Sequence, residues 1–212
     1  MNRATRLFII SSVLTLLPSC YLMMGKGGPF SGITEHRYFP NKDAVLKHFE
    51  DNSSLFQEAV ARWQKKTGSG SFGFRRWDDN SLSWNGIIIK PNGTSYDVLE
   101  ANKKLATQVT FNEAASILNI DAEELRWWLS LTEQLQLYYV TTIGTKLPSN
   151  ERFIEISLRG SESGPYGLIY VPEDNRSAYE LLLYHSEKKE PPLIYTKLDH
   201  IRDRWFYFEG KP

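Results

Sequence analysis

A single cysteine, Cys20, is present among 212 residues, so no disulfide can form within the chain. Histidine is scarce too. His36, His48, His185 and His200 form no H-x-x-x-H pair and have no cysteine cluster beside them, which removes the usual zinc motifs. Neither a metal nor a cofactor is expected. There is no excess of either charge: Lys+Arg and Asp+Glu both number 25. That balance argues against nucleic acid or anionic lipid as the main partner of the folded part. A long hydrophobic run is missing as well. The apolar stretch 7–17 would reach only about 16 Å as a helix, roughly half the hydrocarbon thickness of a bilayer. What the chain has in quantity is aromatic side chains, with 6 Trp, 11 Tyr and 11 Phe. Its 41% hydrophobic and 24% charged residues are ordinary for a globular protein.

Arg3 and Arg6 precede the apolar stretch, which runs into Leu17-Pro18-Ser19-Cys20. This pattern resembles a bacterial lipoprotein signal: a basic start, a short apolar region and a lipobox. Leu17 and Ser19 fit the preferences of that family, whereas Pro18 departs from the usual small or β-branched residue. The resemblance implies that residues 1–19 are a signal peptide and that Cys20 is acylated and becomes the first mature residue. Removal of 1–19 takes away two arginines and no acid, leaving 23 basic against 25 acidic residues, formally −2. The expected location is the bacterial cell envelope, held by acyl chains on Cys20. Tyr21 after the cysteine points to the outer membrane, periplasmic side or surface, where the host has one. Residues 20–40 are rich in glycine and lack an amphipathic period, which suits a lipidated tether.

Residues 41–212 are expected to form a single α+β domain, with a candidate sub-division near 105–110. Asn41 can cap a long helix whose stripe is Val45, Phe49, Phe56, Val60 and Trp63, with Asp51-Asn52-Ser53-Ser54 a candidate break. Residues 72–77 and 82–90 read as strands, and Pro91-Asn92-Gly93 as a hairpin turn with 94–99 returning. A short helix over 96–104 competes with that returning strand. Five β-like runs follow, at 137–143, 152–158, 166–171, 193–198 and 204–209, separated by turn residues. The run 179–185 leans to strand, although Ser177 and Glu180 could make a capping box for a helix. Strands following helices through short turns imply helices packed on an antiparallel sheet. The closing IRDRWFYFEG resembles the last strand of cystatin-like α+β sheets.

The stretch 110–139 resembles a helix-turn-helix of the excisionase or MerR kind. Ala114 and Ala115 are its small residues, Leu118, Ile120, Leu125 and Trp128 its anchors, and Asn119 occupies the usual glycine position, which needs a left-handed backbone. That resemblance implies DNA binding. Against it, Asp121, Glu123 and Glu124 begin the second helix, where they suit the macrodipole but would face phosphates. The motif is therefore expected to serve packing, with no nucleic acid as partner.

Candidate binding residues are Trp127, adjacent to Trp128 and about 100° from it on a helix, and an anion clamp of His200, Arg202 and Arg204 within Asp199–Arg204. A charged hairpin turn is the plainer reading of that cluster. Gly160-Ser161-Glu162-Ser163-Gly164 has the glycine frame of a nucleophile elbow but glutamate in place of the serine, so it fails the motif. The acid pairs Asp97 with Glu100 and Glu123 with Glu124 cannot be told from surface by sequence. The leading expectation is a lipid-anchored envelope protein with a non-catalytic binding domain for an envelope protein or peptide. The alternatives are an envelope hydrolase using Asp97, Glu100 and His200, and a helix-turn-helix DNA-binding protein.

Overall fold

A computed structural model describes residues 39, 41–67, 73–76, 81–100, 103–144, 152–158, 165–172 and 175–211. The first helix, α1 (Lys42–Asp51), starts where the Asn41 side chain accepts the Ala44 N–H at 3.0 Å. It ends at Asn52, whose side chain donates to the His48 carbonyl at 2.9 Å, and α2 (Ser53–Thr67) follows. The break falls inside the expected segment. The apolar stripe crosses it in phase, because Val45, Phe49, Phe56, Val60 and Trp63 are all buried.

Four short strands come next: β1 (Gly73–Arg76), β2 (Leu82–Trp84), β3 (Ile87–Asn92) and β4 (Ser95–Glu100). The continuous strand expected over 82–90 is in fact two. Asn85 and Gly86 both take positive φ, 51° and 82°, and close a two-residue hairpin whose twist matches the flanking strands. Gly93, at φ 65°, makes the next turn, as the Pro-Asn-Gly signal implies. The competing helix over 96–104 is displaced by β4 and by β5 (Lys103–Val109), a strand that the sequence reading does not contain. Lys103-Lys104-Leu105 carries no alternating pattern. Pairing with β4 creates this strand, through two register shifts and a positive φ at Gln108, whose N–H donates to the Asp97 carboxylate at 3.2 Å.

The helical pair is α3 (Phe111–Ile117) and α4 (Ala122–Gln134). Thr110 and Glu113 form a reciprocal capping box on α3. Asn119 at φ 53° turns the chain, and Asp121 caps α4 by accepting from the Glu123 and Glu124 N–H groups. Strands β6 (Leu137–Gly144), β7 (Arg152–Leu158) and β8 (Tyr166–Tyr170) follow, then α5 (Arg176–Lys188), β9 (Tyr195–Arg202) and β10 (Trp205–Gly210). The lean to strand over 179–185 is corrected by α5. Ala178, Tyr179, Leu182 and Leu183 form a stripe at helical spacing that packs on the sheet, which outweighs the short aromatic-flanked pattern. The suggested Ser177–Glu180 capping box is also corrected. Asn175 precedes the helix without a side-chain cap, and Glu180 pairs with Arg176 at 2.9 Å.

All ten strands join one antiparallel sheet in the order β5-β4-β3-β2-β1-β6-β7-β8-β10-β9, so the fold is α+β. One face carries the main core, in which α1 to α4 pack over Leu82, Ile89, Val98, Val140, Ile156, Leu168 and Tyr207. The opposite face carries a smaller core, confined to the C-terminal strands, where α5 covers Phe153, Ile169, Leu198, Phe206 and Phe208. Among the described residues no helix is long and apolar enough to cross a membrane.

Candidate functional site

The turn joining β9 to β10 is formed by Asp203, at φ 46°, and Arg204. With Pro172 and the start of α5 it borders an open pocket of 640 Å³ lined by Pro172, Arg176, Tyr179, Asp203 and Arg204. His200 stands beside it. Its backbone N–H donates to Ser186 Oγ at 2.7 Å, its Nε2 lies 2.9 Å from the Asp203 carbonyl, and its ring packs on Phe206 and Tyr179. Arg202 points elsewhere. Its guanidinium lies 5.0 Å from the Phe49 ring, on the sheet face that carries α1. Only Arg204 of the proposed clamp therefore lines the pocket, next to Arg176, which is paired with Glu180. His200 reads as the fastener between β9, α5 and the turn.

Trp127 and Trp128 divide as their positions on α4 require. Trp128 is fully buried, edge-on to Trp63 with centroids 5.4 Å apart, and its indole N–H donates to Glu124 at 2.9 Å. Trp127 is half-buried against the same core. The Arg62 guanidinium of α2 covers its ring at 4.0 Å and also reaches Glu124 at 3.1 Å. The ring thus belongs to a bracket between α2 and α4, with a cation already on one face.

The most unusual electrostatics lie at a residue that the sequence reading passed over. Glu155 on β7 is 5% exposed. It accepts hydrogen bonds from the hydroxyls of Tyr139, on β6, and of Tyr195, at the start of β9. Burial pushes its carboxyl above the usual range, against the pull of the two hydroxyls. Burial and the neighbouring carboxylate push the Tyr195 phenol well above its ordinary value. Ser157, two residues on and on the same face, is fully buried, and its Oγ has no hydrogen-bond partner among the described residues. Opposite it stands Gly167, where a Cβ would fall 2.1 Å from the Ile156 carbonyl, so the two backbones approach too closely for any side chain. The only sequence signal for this cluster is a glutamate inside FIEISL, an otherwise apolar strand; its tyrosines are 16 and 40 residues away.

The hydrolase candidates do not meet. Asp97 and Glu100 lie on β4, second from one edge, and His200 lies on β9, the other edge. Eight strand spacings of about 4.8 Å separate them, roughly 38 Å across the sheet. Asp97 is committed to structure, holding Asn92, Lys104 and the Gln108 N–H. Those bonds, led by that from Asn92, keep its carboxyl below the usual range. Glu123 is salt-bridged to Arg126, while Glu124 holds Arg62 and Trp128. Within α4, Leu125, Trp128, Leu129, Leu131 and Thr132 are buried, and the stripe left exposed, Glu123, Ser130, Glu133 and Gln134, carries two acids and no base.

Among the described residues, Ile88 and Leu99, paired directly across β3 and β4, are half-buried and pack in neither core, since they lie on the sheet face away from α1 to α4. Among the described residues no three His, Cys, Asp or Glu side chains gather as a metal ion would need. Cys20 and the Gly160–Gly164 segment lie outside the described residues. Comparison of the chain with protein-family models, with curated proteins and with solved structures gives no match in any of the three.

Proposed function

We propose that the chain is a lipid-anchored protein of the bacterial cell envelope whose folded domain is a non-catalytic binding or interaction module. The anchor rests on the basic start, the apolar stretch and Leu17-Pro18-Ser19-Cys20. The observation that carries the binding role is the sheet face around Ile88 and Leu99, apolar side chains that neither core uses. Such a face, in a domain already provided with two cores, suits a protein or peptide partner in the envelope. Separation of Asp97 and Glu100 from His200 counts against the hydrolase. The acids at the start of α4 and on its exposed stripe count against a DNA reader.

Two substitutions test the two parts separately. Cys20→Ser should move the protein from the membrane to the soluble fraction while its thermal unfolding stays unchanged. Ile88→Lys with Leu99→Lys should leave the protein in the membrane and abolish cross-linking to its envelope partner. A Cys20→Ser protein that stays in the membrane fraction overturns the anchor. Cross-linking that survives the double lysine variant overturns the choice of surface.

A further inference from the structure

Four large apolar side chains are exposed among the described residues, and three of them fall within eleven positions: Tyr184 at 50%, Leu193 at 79% and Ile194 at 45%. Leu193 and Ile194 form the turn between α5 and β9, after Pro191-Pro192 and clamped by the Tyr195 N–H donating to the Pro192 carbonyl at 2.8 Å. The turn is thus a firm projection with two aliphatic side chains at its tip. Its location matters as much as its composition. The chain enters the fold at Phe39, whose carbonyl accepts the Tyr166 hydroxyl, and at Lys42, whose ammonium lies 2.8 Å from Asp199 on β9. Tyr166 is opposite Glu209, Glu209 opposite Lys197, and Gly210 opposite Tyr195, so the entry point and the Leu193-Ile194 turn share one end of the sheet. From Asp199 back to Ile194 is five residues, about 17 Å of strand.

We infer that the Leu193-Ile194 turn is a second bilayer contact, seating the domain on the membrane to which the N-terminal anchor ties it. The inference rests on the anchoring reading of Cys20. Eighteen residues separate Cys20 from Phe39, and a glycine-rich tether of that length would span about 24 Å root-mean-square. The end of the sheet where the chain enters is therefore the end held nearest the lipid. Glu187 and Glu190 offset Lys188 and Lys189 beside the turn, so apolar insertion rather than charge drives the contact, and it should not require anionic lipid.

Acylation would block the Cys20 thiol, which makes Leu193→Cys the single free thiol in the processed protein. That variant, labelled with an environment-sensitive fluorophore and reconstituted in phosphatidylcholine vesicles, should carry one label per chain. Its emission should shift to the blue and be quenched by nitroxide-labelled lipid. The same label at Thr107→Cys, on the exposed far-edge strand β5, should show neither effect. Two labels per chain would overturn the acylation and the inference with it. One label per chain with quenching only by aqueous iodide would overturn the seating contact and leave the anchor standing. Shielding from iodide without lipid quenching would mean that a protein, or a second copy of the chain, covers the turn, and would also overturn it.

Discussion

The two halves of the sheet are built alike and clad differently. Strands β7, β8 and β10 are covered on both faces, by α1 and α2 on one side and α5 on the other, and their described residues are buried almost without alternation. WFYFEG of β10 and YGLIY of β8 lose nearly every side chain to one core or the other. Among the described residues, strands β2 to β5 are covered on one face only. In IIIKPN of β3 just Ile89 is fully buried, and in KKLATQV of β5 no residue is. Unbroken apolar runs mark strands with two dry faces, and interrupted ones mark a sheet with one face left for solvent or a partner. The doubly covered half holds Phe39 and Lys42. The open half holds the candidate binding face.

Substitutions that break the comparison should scale with it. The largest losses are expected where a big ring fills a core. Phe206→Ala in the doubly covered half and Trp128→Ala over the main core should each cost about 3–5 kcal/mol in urea unfolding. A small loss at Phe206 would mean that α5 is loosely laid on the sheet and that the second core is nominal.

Next comes the buried carboxylate. Because the fold raises the Glu155 pKa, its stabilising contribution is complete below the unfolded value of about 4.3 and is lost as pH rises through the folded one. Glu155→Gln should therefore cost about 1–3 kcal/mol at pH 4, through a disturbed pair of tyrosine hydrogen bonds. That cost should shrink as pH rises, because the variant does not ionise there. Unfolding free energies of both proteins across pH 4 to 9 (a range of roughly five units) check the sign. A gap that widens with pH would show that the ionised carboxylate is the favoured form.

Trp127→Ala should cost less, about 1–2 kcal/mol, for a half-buried ring and one cation contact with Arg62. The smallest effect belongs to the open face. Leu99→Ala should stay under about 1 kcal/mol, since its side chain lies outside both cores. If Leu99→Ala proved as costly as Phe206→Ala, the open face would be a third core and could not be a docking surface.

Much of this architecture could be read in residue order, for reasons that lie in particular residues. The stripe from Val45 to Trp63, the capping by Asn41 and the left-handed turn at Asn119 are local and strong, and they appear where expected. Strand β5 was illegible because its order comes from β4 and not from its own side chains. Helix α5 was misread because a leucine run with flanking tyrosines is compatible with both periods, and only the sheet beneath it decides. The Asn85-Gly86 turn is a local signal, but the β-branched Ile87-Ile88-Ile89 that follows it favours reading 82–90 as one strand. Of the proposed sites, the His200–Arg204 cluster was visible as a charged turn, yet nothing local indicates that Arg202 and Arg204 leave on opposite faces. The Glu155 cluster depends on three strands meeting and has no footprint in one dimension beyond a single acid in an apolar strand.

The proposed anchor matters most, because the roles proposed for the surface around Ile88 and Leu99 and for the Leu193-Ile194 turn require a domain held at a membrane. Intact-mass measurement of the protein extracted from bacterial membranes is the direct test. The expected mass is that of residues 20–212 increased by acyl chains, and Cys20→Ser should abolish that species. A chain that keeps residues 1–19 and carries no lipid would contradict the account.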